Sequence, residues 1–251
     1  ASQTITLSSG TFVLGGFGQA SLTAGQAINF AGTGSLNAGA ANVSVTAPNI
    51  VALGASSQSF TTTGAVTIAS NGAAGSVDPT QIGGNLALTG GSISDTGTLT
   101  ALSGTLSLTA SNGELVLGNG AVLNASGSRI DLGVAVEDTP GGTVKLISQA
   151  GNLTLSAGSL VNVGAAGNGY AGGLYIATAL NKTATLDGTL SGGAAFKDSG
   201  GTFVLATGSV ITGGVAGALP WSSGFTNRFQ AAIYQPGDIT VPTGVTLSSG
   251  D

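Results

Sequence analysis

The sequence predicts an all-β chain wound as one right-handed parallel β-helix, a β-solenoid, over residues 1–251, with one irregular loop excursion at residues 213–238. Three observations carry that prediction. Short segments that alternate apolar with small polar residues recur along the whole chain, and Gly, Asn or Ser-Gly punctuates nearly every one. Segments of like chemistry return at intervals of about 20 to 30 residues, the period of a repeat that carries several strands per unit.

The composition agrees. Glycine supplies 45 of the 251 residues, only 6 % are charged, and Cys, Met and His are absent. Helix formers of the Glu, Lys, Arg, Gln and Met kind are scarce, so no stretch reads as a helix. The hydrophobic share is 41 % and mean hydropathy is +0.42, enough Val, Leu, Ile and Ala to bury a core and too much for disorder by low hydrophobicity. So few charges do not cover an ordinary globule. An elongated object with a Ser, Thr, Asn and Gly surface fits better.

Taken in order, the alternating segments are "TITL" at 4, "TFVL" at 11, "SLTA" at 21, "NVSVTA" at 42, "AVTIAS" at 65 and "NLALTG" at 85. They continue with "TLSLTAS" at 105, "ELVLG" at 114, "TVKLIS" at 143, "NLTLSAG" at 152, "GLYIAT" at 173, "TATLDG" at 183 and "TFVLATG" at 202. Hairpins joined by Gly-Gly or Asn-Gly would use the same pieces. The constant order of strand, short turn, strand and glycine corner favours coils over a sandwich or barrel. In a β-helix, equivalent residues of successive coils stack ~4.8 Å apart, which favours Ser, Thr, Asn, Val and Ala and makes stacked charges repel. At roughly 22 residues per coil the chain forms about eleven coils and a rod of about 50 Å. Leu86 and Leu106, Leu153 and Leu174, and Leu174 and Phe203 read as equivalent positions, with Leu106, Leu153 and Phe203 pointing inward.

Several motifs invite sharper readings. Gly167, Gly169 and Gly172 have the spacing G-x-G-x-x-G, which on a dinucleotide-binding fold opens a helix whose N-terminus holds a pyrophosphate. Here "GLYIAT" follows, a strand, so these glycines read as loop corners and no cofactor is expected. Arg129, Asp131, Glu137, Asp138 and Lys145 form the densest charged group; "EDTPGG" reads equally as turn chemistry. Paired carboxylates there would serve a carbohydrate-active enzyme. Without His or Cys, neither a Ser-His-Asp nor a Cys-His arrangement is available. Calcium repeats of the G-G-x-G-x-D kind are missing, so no metal is expected. Asn42, Asn124, Asn152 and Asn181 satisfy N-x-[ST], a pattern that so Ser- and Thr-rich a chain produces by chance. Thr-rich runs such as "SFTTTGAVT" read as stacked β-formers on a solvent face rather than as an ice-binding ladder. The net charge of −5 and five scattered basic residues exclude a nucleic-acid surface. No apolar run approaches the ~18 residues of a membrane-spanning helix. The missing cysteines favour an exported protein.

Alternation lapses at residues 213–238, "GGVAGALPWSSGFTNRFQAAIYQPGD", which hold the one Trp of the chain. Aromatic and Arg side chains anchor recognition surfaces, so Trp221, Phe225, Arg228, Phe229 and Tyr234 are the candidate partner contact. The alternative is an excursion in which Trp221 and Phe225 pack on the rod or cap a coil while "FQAAIY" rejoins it as a strand.

Residues 141–209 carry a family resemblance. The succession "GGTVKLIS", "GNLTLSAGS", "LVNVGAAG", "TATLDGTLSGG" and "GGTFVL", with "PGDITVPTGVTLSSG" at 236–250, resembles the coils of the filamentous haemagglutinin family, exoproteins of bacterial two-partner secretion. About half of the chain carries the likeness well. It implies a secreted or cell-surface bacterial shaft or adhesin, structural and non-catalytic, exported through an outer-membrane transporter barrel and meeting a host-cell or bacterial surface receptor or glycan. A carbohydrate-active β-helix enzyme, lyase or glycoside hydrolase-like, is the competing expectation. Both ends of the sequence read as strand without a cap, which predicts a fragment of a longer solenoid and end-to-end self-association.

A far-UV circular dichroism spectrum is expected to be almost wholly β. Helix above about a fifth of residues, against a globular norm near a third, excludes the solenoid.

Overall fold

Period-two alternation places every second side chain of a strand on one side. When a coil closes on itself that side faces the axis, and each coil then needs the next one to cover its edges. The chain has this form in a computed structural model, which describes residues 2–73, 75–196, 199–220, 223–235 and 238. These residues form 26 strands and no α-helix, wound as a parallel β-helix.

Three sheets enclose the axis. The first has nine parallel strands, one per rung: Gly10–Val13, Thr33–Asn37, Ser57–Thr61, Asn85–Gly90, Thr105–Ala110, Thr143–Ser148, Gly173–Thr178, Thr202–Thr207 and Arg228–Ile233. The second runs from the start of Gln19–Phe30 through Asn42–Thr46, Ala65–Ala69, Ser92–Thr96, Leu115–Leu117, Leu153–Leu155 and Thr183–Leu186 to Ser209–Thr212. The third holds the end of Gln19–Phe30, then Ile50–Ala52, Thr98–Thr100, Val122–Asn124, Leu160–Asn162 and Thr189–Ser191. The long strand Gln19–Phe30 pairs with both Asn42–Thr46 and Ile50–Ala52, so it turns the corner between two sheets without a break.

The core is a set of columns parallel to the axis. In the first sheet Leu36, Phe60, Leu88, Leu108, Leu146, Ile176 and Leu205 lie in register and all are buried. Beside them run Leu86, Leu106, Val144, Leu174 and Phe203. Leu106, Leu153 and Phe203 have no exposed surface, as their alternation predicts. A third inward column carries hydroxyls at the corner with the second sheet: Thr62 Oγ1 donates to the Ala41 carbonyl at 2.5 Å, and Ser148 Oγ to that of Gly113 at 3.0 Å. These short polar side chains satisfy carbonyls that the turning backbone leaves unpaired.

Rung length departs from the uniform 22-residue expectation, and the described residues form nine rungs where about eleven are expected of the whole chain. Leu106 is the in-register partner of Leu86, and Phe203 that of Leu174, as the sequence indicates. Leu153 and Leu174 are not equivalents. Leu153 belongs to the second sheet, opposite Leu115 and Ala184, and Leu174 to the first, opposite Val144. Strands of different sheets share one alternating pattern, so the pattern alone does not say which face a strand belongs to. The remaining length is spent in insertions, chiefly between Ala69 and Asn85 and in the antiparallel hairpin of Arg129–Asp131 with Val136–Asp138.

Glycine marks the corner that leads into the first sheet. A Cβ on Gly104 would overlap the carbonyl of Gly84, one on Gly142 that of Gly104, and one on Gly172 that of Gly142. The same carbonyls accept the next rung's first N–H, from Thr105, Thr143 and Gly173 at 2.7–2.9 Å. Gly172 of the G-x-G-x-x-G is therefore a step in this ladder, and the strand Gly173–Thr178 follows it directly.

Leu106→Ala is expected to cost about 2–5 kcal/mol in urea unfolding, because packed neighbours above and below cannot close the cavity. Ser107→Ala, on the outward face of the same strand, is expected to change stability by less than about 0.5 kcal/mol.

Candidate functional site

The excursion is more internal than its composition suggests. Val215–Ala216 folds back antiparallel on Ile211 and Thr212, and the Gly213 N–H donates to Asp187 Oδ1 at 2.7 Å. The chain rejoins the first sheet at Arg228–Ile233, in register with Thr202–Thr207. Phe225 is buried with its ring centroid 5.5 Å from that of Phe203, and Phe229 stacks on the other ring at 4.8 Å. Two of the five candidate contacts thus serve the interior, where an aromatic pair adds about 0.5–1.5 kcal/mol beyond the area it buries. Arg228 and Tyr234 face solvent, and the Arg228 guanidinium donates to Gln230 Oε1. Trp221 lies outside the described residues.

The charged group at 129–145 divides. Arg129 and Asp138 are opposite each other in the hairpin, Nε to Oδ1 at 3.8 Å. Asp138 Oδ2 accepts the N–H of Asn168 at 3.1 Å, and its carboxyl fills the space where Gly167 lacks a side chain, so it ties two loops together. Asp131 accepts the N–H of Gly133 at 2.8 Å within its own turn. Lys145 is elsewhere, on the outer face of the first sheet. Other carboxylates are used in the same way: Asp78 by the Thr80 N–H and hydroxyl, which hold it below the usual range, and Glu114 by Asn152. Among the described residues no group of acidic side chains is arranged to hold a metal ion.

The insertions form a second layer along one corner. Ser128 Oγ donates to the Pro79 carbonyl at 2.6 Å, the Gly141 N–H to Tyr170, the Ala171 N–H to Ser199, and the Gly192 N–H to Ser223. Each loop is thereby braced by the next, and large apolar side chains stand out of the ridge: Leu132, Val134, Tyr170 and Phe196, with Val134 99 % exposed. The sequence reading did not single out these four. The "LGVAV" hairpin tip resembles any other alternating strand, and only the antiparallel pairing shows that it leaves the coil.

Asp95 occupies an inward position of the second sheet, between Ile68 and Leu117. Its Oδ1 accepts the Gly97 N–H at 2.7 Å, while Oδ2 is buried without a partner. Burial pushes the carboxyl up to about 7, against the smaller opposite pull of the Gly97 N–H. The folded chain therefore keeps a proton that the unfolded chain releases near 3.8. Stability from this group is therefore complete below pH 3.8 and is lost as pH rises towards 7.

No family model, no curated protein and no solved structure matches the chain. Of the motif at 236–250, all but Asp238 lies outside the described residues.

Between pH 4 and 7 the parent chain is expected to lose up to about 4 kcal/mol relative to Asp95→Asn, which keeps an acceptor for Gly97 and does not titrate. Urea midpoints of both chains across that range check it; parallel curves would show that Asp95 is ionised throughout.

Proposed function

We propose that this chain is a segment of the shaft of an exported bacterial surface protein of the filamentous haemagglutinin kind, acting structurally and in attachment without catalysis. The observation that carries the reading is the unbroken nine-strand parallel ladder of the first sheet, with its stacked apolar columns. A rung added to such a ladder finds its hydrogen-bonding edge and its core already formed, so folding proceeds coil by coil from a nucleus. That suits a chain that emerges through an outer-membrane transporter barrel and gains its structure outside the cell. Cysteine-free sequence and low charge are compatible with the same route.

The attachment role draws support from the corner ridge. Braced loops hold Leu132, Val134, Tyr170 and Phe196 in solvent at little further entropic cost, which is what a contact with a surface receptor requires. The carboxylates that anchor turns are engaged with backbone N–H groups instead of facing one another across a cleft. End-to-end association of rods belongs to the same proposal.

Beads coated with the chain are expected to adhere to bacterial or epithelial cells. The double variant Asp131→Asn, Glu137→Gln, which keeps the turn acceptor and removes two carboxylates, is expected to adhere equally. No adherence to either cell type, or polysaccharide cleavage by the parent that this variant loses, overturns the reading.

A further inference from the structure

Of the three sheets around the axis, only the first carries cations in its strands among the described residues. Acidic residues outnumber basic ones 10 to 5 overall, yet none of the nine strands of this sheet contains Asp or Glu, and two carry a cation, Lys145 and Arg228. Neither cation pairs with a carboxylate among the described residues. Lys145 borders a groove of about 550 Å³ that also takes in Thr143, Tyr175 and Val204.

Tyr175 is the aromatic side chain that lines the groove. It alternates with the buried Leu174 and Ile176 and so faces outward, but its ring leans back along the strand over Gly173, Cε2 lying 2.7 Å from where a Cβ would stand. Gly173 is buried under the ring. At the equivalent position the neighbouring rungs have Thr143 and Thr202, then Arg228. Glycine thus interrupts a column of hydroxyl side chains at the rung where an aromatic ring leans over it. The ring has a threonine on either side, Lys145 on the adjacent rung beside Tyr175, and Arg228 two rungs away in the other direction. Rungs are ~4.8 Å apart, so the two cations are separated by about 14 Å along the axis.

From this arrangement we infer that the first sheet binds an acidic polysaccharide of uronate type along the rod axis. The electron-rich face of the ring attracts the slightly positive C–H bonds on the flat side of a pyranose. Thr143 and Thr202 offer hydroxyls at the edges of that sugar; Asn227 Nδ2 donates to Thr202 Oγ1 at 3.3 Å and leaves the threonine proton for the ligand. Carboxylates on successive sugars then meet Lys145 and Arg228 as charge-assisted contacts. A neutral glycan gains nothing from the two cations. Single-stranded nucleic acid would also stack on Tyr175, but two cations release too few counterions to hold it.

The inference deepens the attachment reading and rests on it for a ligand met at a surface, while its test separates the two. The whole chain is titrated with polygalacturonate, dextran, dextran sulfate and single-stranded poly(dT). Polygalacturonate is expected to bind in preference to the other three, weakening as salt rises. Tyr175→Ala, Lys145→Gln and Gly173→Ala, which displaces the ring without altering it, are each expected to weaken binding at least tenfold. Lys182→Gln, which removes a cation outside the first sheet, is expected to leave binding unchanged, and circular dichroism of each variant reports its fold. No binding of polygalacturonate, equal or tighter binding of any other polymer, or full binding by folded Tyr175→Ala overturns the inference. Cells that still hold the parent through a Lys145→Gln-insensitive contact leave attachment standing when the groove fails. Release of polygalacturonate fragments by a Tyr175-dependent activity supports the groove and overturns the non-catalytic reading.

Discussion

A side chain in one of the solenoid's sheets sits about one strand spacing from its counterpart on the paired strand, and that distance governs what the chain can contain. Identical apolar groups stack to mutual advantage, as the Leu108, Leu146, Ile176 and Leu205 column does. Identical charges at the same distance repel, and the chain has only 6 % charged residues. Backbone that must turn a corner at that spacing leaves no room for Cβ, and Gly84, Gly104, Gly142 and Gly172 follow one another there. Composition, core and corners are consequences of a single repeat distance.

Departures from the stacking rule are then informative. Gln58 stands in an apolar inward column, and its Nε2 donates to the Ala31 carbonyl at 2.6 Å, closing a coil corner. Asp95 breaks another column with a carboxyl whose second oxygen is unsatisfied, and its stability cost is conditional on pH. Phe203, Phe225 and Phe229 form an aromatic cluster where the excursion rejoins the first sheet. Gly173 breaks an outward hydroxyl column and seats Tyr175.

Variation in rung length is confined largely to one side. The hairpin at 129–138 and the loops that follow Asn162 and Ser191 leave the solenoid between the third and first sheets, and each hydrogen-bonds to a neighbour. A solenoid tolerates this because an insertion at a corner leaves the pairing of Thr105–Ala110 with Thr143–Ser148 intact. The regular sheets supply rigidity and the corner supplies variety, which leaves two surfaces of different chemistry: an apolar ridge of loops and an acid-free sheet face.

The sequence by itself determined the strands, their inward residues and the coil architecture, because period-two alternation and glycine punctuation are local properties of consecutive residues. Leu106, Leu153 and Phe203 were legible as core for that reason. Register was not. Whether Leu106 lies under Val144, across an inserted hairpin, depends on where the chain leaves and re-enters the rod, and no local pattern records that. The candidate site shared this limit: Phe225 and Phe229 have the composition of a recognition surface, and only their packing on Phe203 turns them inward, while Arg228 and Tyr234 remain outside. Lys145, close in sequence to Arg129 and Asp138, is carried by the winding onto another face beside Tyr175. Tertiary structure decided these neighbours because in a solenoid the residues that touch are a whole coil apart, and coil length is set by loops whose composition says little about their path.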